Sequence, residues 1–266
     1  MPAVRPAAVA GMFYAARPAV LHAQIAECLP AAGADDAARA PKLLIVPHAG
    51  YVYSGVVAAR AYSLLERWRG QIERVVLLGP AHRVPVRALA APKVDAFETP
   101  LGRVPLDRAA LATLDELPQV VRDDLAHEGE HSLEVQLPFL QTVLGDFMLV
   151  PLVVGDASPA EVAQVLERLW GGDETLIVIS SDLSHYLPYA SAQAIDAATA
   201  RRIVALDAGL DQHEACGAIP INGALQVARR HGLVPRLLDL RNSGDTAGDR
   251  RRVVGYGAFV FDEPRT

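Results

Sequence analysis

Short runs of aliphatic, often β-branched residues alternate along the chain with longer segments whose apolar residues have helical spacing. The short runs predict buried strands at residues 42–46, 74–78, 147–154, 175–180, 236–241 and 253–261. The longer segments predict helices at residues 17–29, 54–68, 131–144, 159–170, 190–206 and 221–231. This alternation is typical of an α/β protein in three layers, with a mostly parallel central sheet and helices on both faces. We expect a single domain over residues 1–266.

Local signals refine this picture. Residues 87–104 contain short apolar runs broken by Pro, Asp and Gly, which predict a hairpin outside the main alternation. A capping box that starts at Ser158 predicts the start of the following helix. Asp107 is expected to cap a short helix. Pro138 predicts a kink or an interruption in the helix that contains it. The Ala/Gly/Asp-rich segment 31–41 reads as a linker.

The composition narrows the class of protein. With 266 residues, 51% of them hydrophobic, the chain can bury a substantial core. Acidic and basic residues are interspersed and the net charge is −6, so we expect neither nucleic-acid nor membrane binding, and the basic run Arg250 to Arg252 reads as a solvated loop end. No apolar stretch resembles a bilayer span or a signal peptide, which predicts a cytoplasmic protein. The two cysteines, Cys28 and Cys216, are expected to be free thiols.

Three histidines follow predicted strands directly. His48 lies in PHAG, His82 in GPAH and His185 in SSDLSH. Because the loops at the carboxyl ends of parallel strands form one crevice, the three imidazoles can meet in one cleft. A loop histidine is ordinarily bound to a carbonyl group, but the repeated strand, proline, histidine arrangement at His48 and His82 favours a metal site.

Cys216 is the residue with the most alternatives. It precedes Gly217 and a predicted helix, whose amide groups would favour the thiolate. A thiolate joined to His48 and His82 forms a mixed nitrogen and sulfur donor set, which suits iron, copper or zinc and not magnesium or calcium. Without a metal, Cys216 beside His185 could instead be the nucleophile of an acyl transfer.

The remaining site residues are expected to line the pocket. Asp182 lies three residues before His185, so it either orients His185 as a general base or only caps the turn. His131 and Glu134 lie on one face of a predicted helix start, where pocket lining is favoured over metal ligation. The loop RNSGDTAGD either approaches a ligand or is only a turn. We expect the substrate pocket to contain Tyr53, His131, Glu134 and Asn242.

The ordered motifs resemble those of a known family. PAAVAGMFY, PHAGYVYSG, GPAH, EHSLEVQLPFL, SSDLSHY, CGAIPI and NSGDT followed by VVGYGAF are similar to the Memo (mediator of cell motility) family, including the AmmeMemoRadiSam protein B members. The resemblance covers nearly the whole chain. It implies a fold related to the class III extradiol dioxygenases, a metal position surrounded by His48, His82 and Cys216, and an acid/base role for His185 beside Asp182.

One departure from the dioxygenases affects the chemistry. Their iron site is completed by a carboxylate, and Cys216 occupies the corresponding position here. We therefore expect an iron- or copper-dependent oxidoreductase, with zinc as a further option, and we do not assume ring cleavage. The alternative is a module that binds a peptide or protein in the same cleft without catalysis. The resemblance also implies a functional association with a radical-SAM protein. The substrate is an unidentified small molecule or peptide.

Overall fold

The computed structural model of the protein describes residues 3–30 and 39–264, so most of the expected linker at 31–41 lies outside the described residues. The strands are β1 (Val4–Arg5), β2 (Leu43–Val46), β3 (Arg74–Pro80), β4 (Leu89–Ala91), β5 (Ala96–Thr99), β6 (Gly102–Pro105), β7 (Val120–Arg122), β8 (Met148–Val154), β9 (Thr175–Ser180), β10 (His185–Leu187), β11 (Val234–Asn242) and β12 (Val253–Asp262). The α-helices are α1 (Pro18–Cys28), α2 (Tyr51–Tyr62), α3 (Arg108–Ala112), α4 (Leu125–Glu128), α5 (Leu137–Leu144), α6 (Pro159–Arg168), α7 (Tyr189–Val204) and α8 (Ala218–Arg230).

A nine-stranded mixed sheet forms the centre of the molecule. Its strand order is β10-β12-β2-β9-β3-β8-β4-β7, and β11 pairs with β12. The four central strands β2, β9, β3 and β8 are parallel, whereas β12 pairs with β2 in antiparallel orientation. Every residue of β2 and β9 is buried. Since successive side chains of a strand point to opposite faces, both faces of the sheet are covered, as the expected three-layer α/β architecture requires.

The expected hairpin forms only part of residues 87–104. Strands β5 and β6 pair as an antiparallel hairpin and join β1 in a separate three-stranded sheet. Strand β4, however, belongs to the main sheet, where it pairs with β8 and β7. All three of its residues, Leu89, Ala90 and Ala91, are fully buried. The prediction that this whole segment lies outside the main alternation is therefore wrong for β4, because such a short strand leaves no periodic pattern in the sequence.

Most helix signals act as expected. Ser158 and Glu161 form the capping box of α6, and Asp107 accepts a hydrogen bond from the backbone N–H of Ala110 at the start of α3. The predicted helix at 131–144 begins later, with a 3₁₀ turn at Glu134–Gln136, and α5 carries Pro138 in its first turn, where the missing N–H costs little. Among the described residues, no helix is long and apolar enough to cross a membrane.

A buried ion pair holds the N-terminal segment against the start of α5. Arg5 Nη1 lies 2.6 Å from Glu134 Oε2, and both side chains are almost completely buried. Glu134 also accepts hydrogen bonds from the backbone N–H groups of Ala8 and Val9 and from the Tyr14 hydroxyl. Removing one member of such a pair leaves an uncompensated buried charge, which is strongly destabilising. The N-terminal segment is thus a fixed part of the wall beside His131.

His127 in α4 makes the fold sensitive to acid. Burial lowers the pKa of His127 to about 4, and its Nε2 contacts the carbonyl oxygen of Ala90. Below about pH 6.5 the unfolded chain binds a proton that the folded chain takes up only near pH 4. We expect this residue to reduce the free energy of unfolding by about 2 kcal/mol between pH 7 and pH 5.

Urea unfolding at the two pH values checks this expectation. The variant His127→Gln has no proton to gain, so its unfolding free energy should change less between the two pH values than that of the wild type. His22→Gln, on the exposed side of α1, is the matched control. An unchanged pH dependence in His127→Gln would show that another group carries it.

Candidate metal centre

The neighbouring strands β2, β9 and β3 bring the predicted residues to one edge of the sheet. These strands are parallel, so their carboxyl ends lie together. Pro47 and His48 directly follow β2, His82 follows β3, and the loop from Ser181 to His185 follows β9. These residues therefore lie at the carboxyl edge of the sheet, as the sequence predicted.

The cluster at this edge contains a histidine that the sequence argument had placed only in the pocket wall. Ligand atoms of His48, His82 and His131 all lie within 4.8 Å of one another. The rings of His82 and His131 stack with their centroids 4.6 Å apart, and the ring of His48 meets both edge-on. His131 comes from the loop between α4 and α5 and not from a strand end. We call these three residues the histidine triad.

Hydrogen bonds fix the orientation of two of the three rings. Ser180 Oγ donates to the carbonyl of Ser132, so it accepts from His48 Nδ1, which lies 3.0 Å away. His82 Nδ1 lies 2.9 Å from Glu130 Oε1 and can only donate to this carboxylate. In both rings the proton is therefore on Nδ1, and Nε2 keeps its lone pair for a ligand.

Glu130 holds two members of the triad at once. Its side chain accepts the backbone N–H and Nδ1–H of His82 and the backbone N–H groups of His131 and Ser132. Burial raises the pKa of Glu130, but the hydrogen bonds from His82 and Ser132 outweigh burial and lower the pKa to about 2. Glu130 is thus an anion at neutral pH. Sequence reasoning missed this residue, although a carboxylate next to His131 was a signal for it.

An unpartnered nitrogen supports the fit of the triad to a metal ion. His131 Nδ1 is buried without a hydrogen-bond partner in the described chain, and Glu130 Oε1, 3.3 Å away, is outside hydrogen-bond geometry. Metal to imidazole bonds of about 2.0–2.1 Å allow two ligand nitrogens to be at most about 4.2 Å apart. The separations of up to 4.8 Å therefore need only a small inward movement of the rings.

Burial favours the neutral form of the His48 and His131 imidazoles. Burial and the neighbouring rings of His82 and His131 lower the pKa of His48 well below its usual range. Burial is also the main cause that lowers the pKa of His131 to about 4. Because a metal binds the neutral form of imidazole, neither ring must lose a proton first at neutral pH.

Cys216 lies next to the triad in the form of a thiol. Its Sγ is 3.4 Å from His48 Nε2, and a Cβ on the adjacent Gly217 would lie 2.7 Å from Ser181 Cβ, so this close approach needs glycine. Burial and the nearby Asp182 carboxyl group raise the pKa of Cys216 to about 12. The expectation that helix amides favour the thiolate is wrong for the metal-free site, because burial outweighs them.

Asp182 has a different partner from the expected one. Its Oδ1 accepts the backbone N–H groups of His48 at 2.8 Å and Ala49 at 3.3 Å. Burial raises the pKa of Asp182 to about 7, although these two hydrogen bonds and His82 act in the opposite direction. Among the described residues, the His185 ring makes no hydrogen bond to Asp182. Asp182 therefore holds the loop that carries His48 and does not orient His185.

The other expected pocket residues have mixed environments. Tyr53 is 40% exposed in the first turn of α2, so its place in the pocket stays a prediction. Glu134 accepts hydrogen bonds from Arg5 and from the backbone of the N-terminal segment, which gives it a structural role. Asn242 is buried, and its side chain accepts the backbone N–H of Gly244 to stabilise the tight turn after β11. These contacts give Glu134 and Asn242 structural roles, and their contact with a substrate stays a prediction.

Two cavities meet at His82 and Cys216. The first, about 440 Å³ and termed the Arg83 arm, is also lined by Arg83 and Asp156. The second, about 690 Å³ and termed the His185 arm, is also lined by His185. The rest of the Arg83 arm is mostly apolar, with Val84, Pro85, Val86, Ile219 and Pro220. The His185 arm combines the apolar Leu187, Ile195 and Ala198 with the polar Asp211, Gln212, His213 and Glu214. Together they form one cleft that contains His82 of the triad.

The fold and the cluster define an α/β protein with a candidate metal centre at the carboxyl edge of its sheet, and comparison with known proteins agrees. A solved structure of an uncharacterized protein from Escherichia coli K12 superposes with a TM-score of 0.52, covering 81% of this chain and 99% of that chain at 14% identity, which shows a likeness of fold.

Sequence relatives are more specific. The profile described as Memo-like protein matches residues 5–260. A MEMO1 family protein of Methanopyrus kandleri is 38% identical over 97% of this chain and 98% of the relative, and one from Aquifex aeolicus is 37% identical over 83% of this chain and 86% of the relative. The chain therefore belongs to the Memo-like protein family.

The role of Glu130 leads to a prediction about metal affinity. Glu130→Gln removes the negative charge that accepts from both His82 and the His131 loop, and loss of such a supporting group typically lowers metal affinity about 10- to 100-fold. Titration with cobalt(II), followed by its visible absorption, measures the affinity. Glu128→Gln, an exposed position on α4, is the control and should bind like the wild type. Equal affinity in Glu130→Gln would mean that this carboxylate does not support the metal ligands.

Proposed function

We propose that this Memo-family protein is a metal-dependent oxidoreductase, with iron or copper at the histidine triad and zinc as the remaining option. One observation carries the proposal. Three imidazoles converge, and hydrogen bonds to Ser180 and Glu130 leave the Nε2 lone pairs of His48 and His82 available for a ligand. A set of His48, His82, His131 and the adjacent Cys216 combines nitrogen donors with a soft sulfur donor. Such donors suit iron, copper and zinc, and the hard cations magnesium and calcium prefer oxygen.

The donor set also bears on which chemistry is expected. When bound, iron or copper supplies a Lewis acid and an electron carrier, and zinc supplies only the Lewis acid. Among the described residues, the candidate donors are three histidines with Cys216 nearby and no carboxylate, which differs from the two-histidine, one-carboxylate facial triad of non-haem iron oxygenases, so ring cleavage does not follow from the fold. We therefore propose that the protein is an oxidoreductase and do not specify the reaction that it catalyses.

His185 is proposed as the proton acceptor of the site. It lines the His185 arm together with His82 and Cys216. Burial is the main cause that lowers its pKa, so the ring is neutral at pH 7 and can take a proton from a substrate in the cleft. His185 begins β10, whose pairing with β12 fixes the backbone that carries the ring.

A second candidate function rests on the shape of the cleft. The Arg83 arm and the His185 arm extend on both sides of His82, as a groove for an extended peptide would. In this interpretation the protein is a binding module, and the metal is structural. An association with a radical-SAM protein is compatible with either function and stays a prediction.

Removal of triad imidazoles tests the metal centre. We expect His48→Ala/His82→Ala to abolish stoichiometric iron or copper binding, because two of the three imidazoles are lost, and His131→Ala to weaken binding at least about tenfold. Cys216→Ser should remove any sulfur to copper(II) charge-transfer absorption. Elemental analysis after anaerobic purification and circular dichroism report metal content and fold. His22→Ala is the control. Full metal occupancy in the double variant would refute the assignment.

Replacement of His185 separates catalysis from binding. His185→Ala should keep metal affinity within about tenfold of the wild type, because His185 is not among the triad, and should abolish turnover that depends on oxygen and a reductant. Oxygen consumption by iron- or copper-loaded protein with ascorbate measures this turnover. Loss of metal binding in this variant would make His185 a ligand. No turnover by the loaded wild type would favour the binding module.

A further inference from the structure

Arg83 lines the same cavity as His82 and Cys216, and it has no anionic partner in the described chain. Arg74 and Arg202, for example, are each paired with two carboxylates. In contrast, within residues 3–30 and 39–264 no carboxylate lies within 4.0 Å of the Arg83 guanidinium, and its side chain makes no hydrogen bond. A guanidinium offers five donors in a planar fork that matches carboxylate and phosphate oxygens. The unpaired group is therefore ready for an anion.

The position of Arg83 connects it to the candidate metal centre. It directly follows His82 in the chain and lines the same cavity as His82 and Cys216. Its positive charge is one of the causes that lower the pKa of His131, after burial and the neighbouring His82. The guanidinium thus belongs to the electrostatic environment of the triad. Arg83 itself is exposed, and apolar side chains, including Val86 and Ile219, line the cavity beside it.

We propose that the cleft takes a substrate that carries an anionic group, a carboxylate or a phosphate, and that Arg83 holds this group in the Arg83 arm. This proposal rests on the proposed function, whose site it shares. The substrate's body crosses His82 and Cys216 toward the His185 arm, so the reacting group comes next to the triad and His185. Arg83 is then a specificity-determining residue, because a neutral analogue would leave its guanidinium without a partner.

Asp156 affects how much negative charge the anionic group of the substrate can carry. It lines the same arm as Arg83, and in the described part of the chain its carboxylate has neither an ion pair nor a side-chain hydrogen bond. Its negative charge opposes a second negative charge on the ligand. A singly charged carboxylate should therefore bind better than a doubly charged phosphate ester, and removal of the Asp156 charge should favour both anions.

Isothermal titration calorimetry tests the proposal with benzoate, phenyl phosphate and the neutral benzamide as probes, on cobalt(II)-loaded and on metal-free protein. We expect benzoate to bind more tightly than benzamide. In Arg83→Gln the Kd for benzoate should rise at least about tenfold, as expected for a lost charge-assisted hydrogen bond. Arg83→Lys should recover part of the affinity. Asp156→Asn should lower the Kd of both anions, and that of phenyl phosphate more.

Controls distinguish this proposal from the metal assignment. Arg87→Gln, an exposed position on the same loop outside the cavity lining, should change the Kd for benzoate less than about twofold. Three results would overturn the proposal: unchanged benzoate affinity in Arg83→Gln, equal affinity for benzamide, or no binding of either anion to the wild type. Anion binding that depends on Arg83 in a protein that binds no metal would support the anion site and refute the metal centre. Metal binding together with an anion affinity that does not depend on Arg83 would support the metal centre and refute the anion site.

Discussion

The buried carboxylate of Glu130 is the group on which the candidate site depends most. It joins two parts of the chain that the sheet does not connect, the end of β3 with His82 and the loop before α5 with His131. A buried anion is stable only when donors surround it, and four N–H groups do so here. The same bonds that stabilise Glu130 therefore fix the two imidazoles beside each other.

The other buried acids near the site have related structural roles. Asp182 holds the backbone of the His48 loop, and Glu134 holds the N-terminal segment behind the triad through Arg5 and Tyr14. None of these three carboxylates belongs to the cluster of ligand atoms. The acids position the loops, and the imidazoles remain as the candidate donors. This division of roles explains why a site so rich in acidic residues has a nitrogen-rich candidate ligand set.

The sequence predicted the parts of the site that follow from regular structure. His48 and His82 were found because each ends a parallel strand, and parallel strands end at the same edge. His131 and Glu130 could not be found as ligand and support in that way, because their loop reaches the edge by tertiary packing alone. The protonation of Cys216 was predicted wrongly for a similar reason. The helix start is visible in the sequence, whereas the burial that raises the thiol pKa to about 12 is a property of the folded protein.

The candidate metal ligands of the triad and the residues proposed to select a ligand, Arg83 and Asp156, lie in different parts of the structure. The triad is fixed by the sheet edge and by buried hydrogen bonds. Arg83 and Asp156 lie on exposed loops, and in the described part of the chain their side chains have no hydrogen bond or ion pair that a substitution would break. Changes at these positions can therefore alter the charge preference of the cleft without moving His82, even though Arg83 is its neighbour in the chain. This arrangement, with a rigid scaffold and variable loops, is how one fold accommodates different substrates.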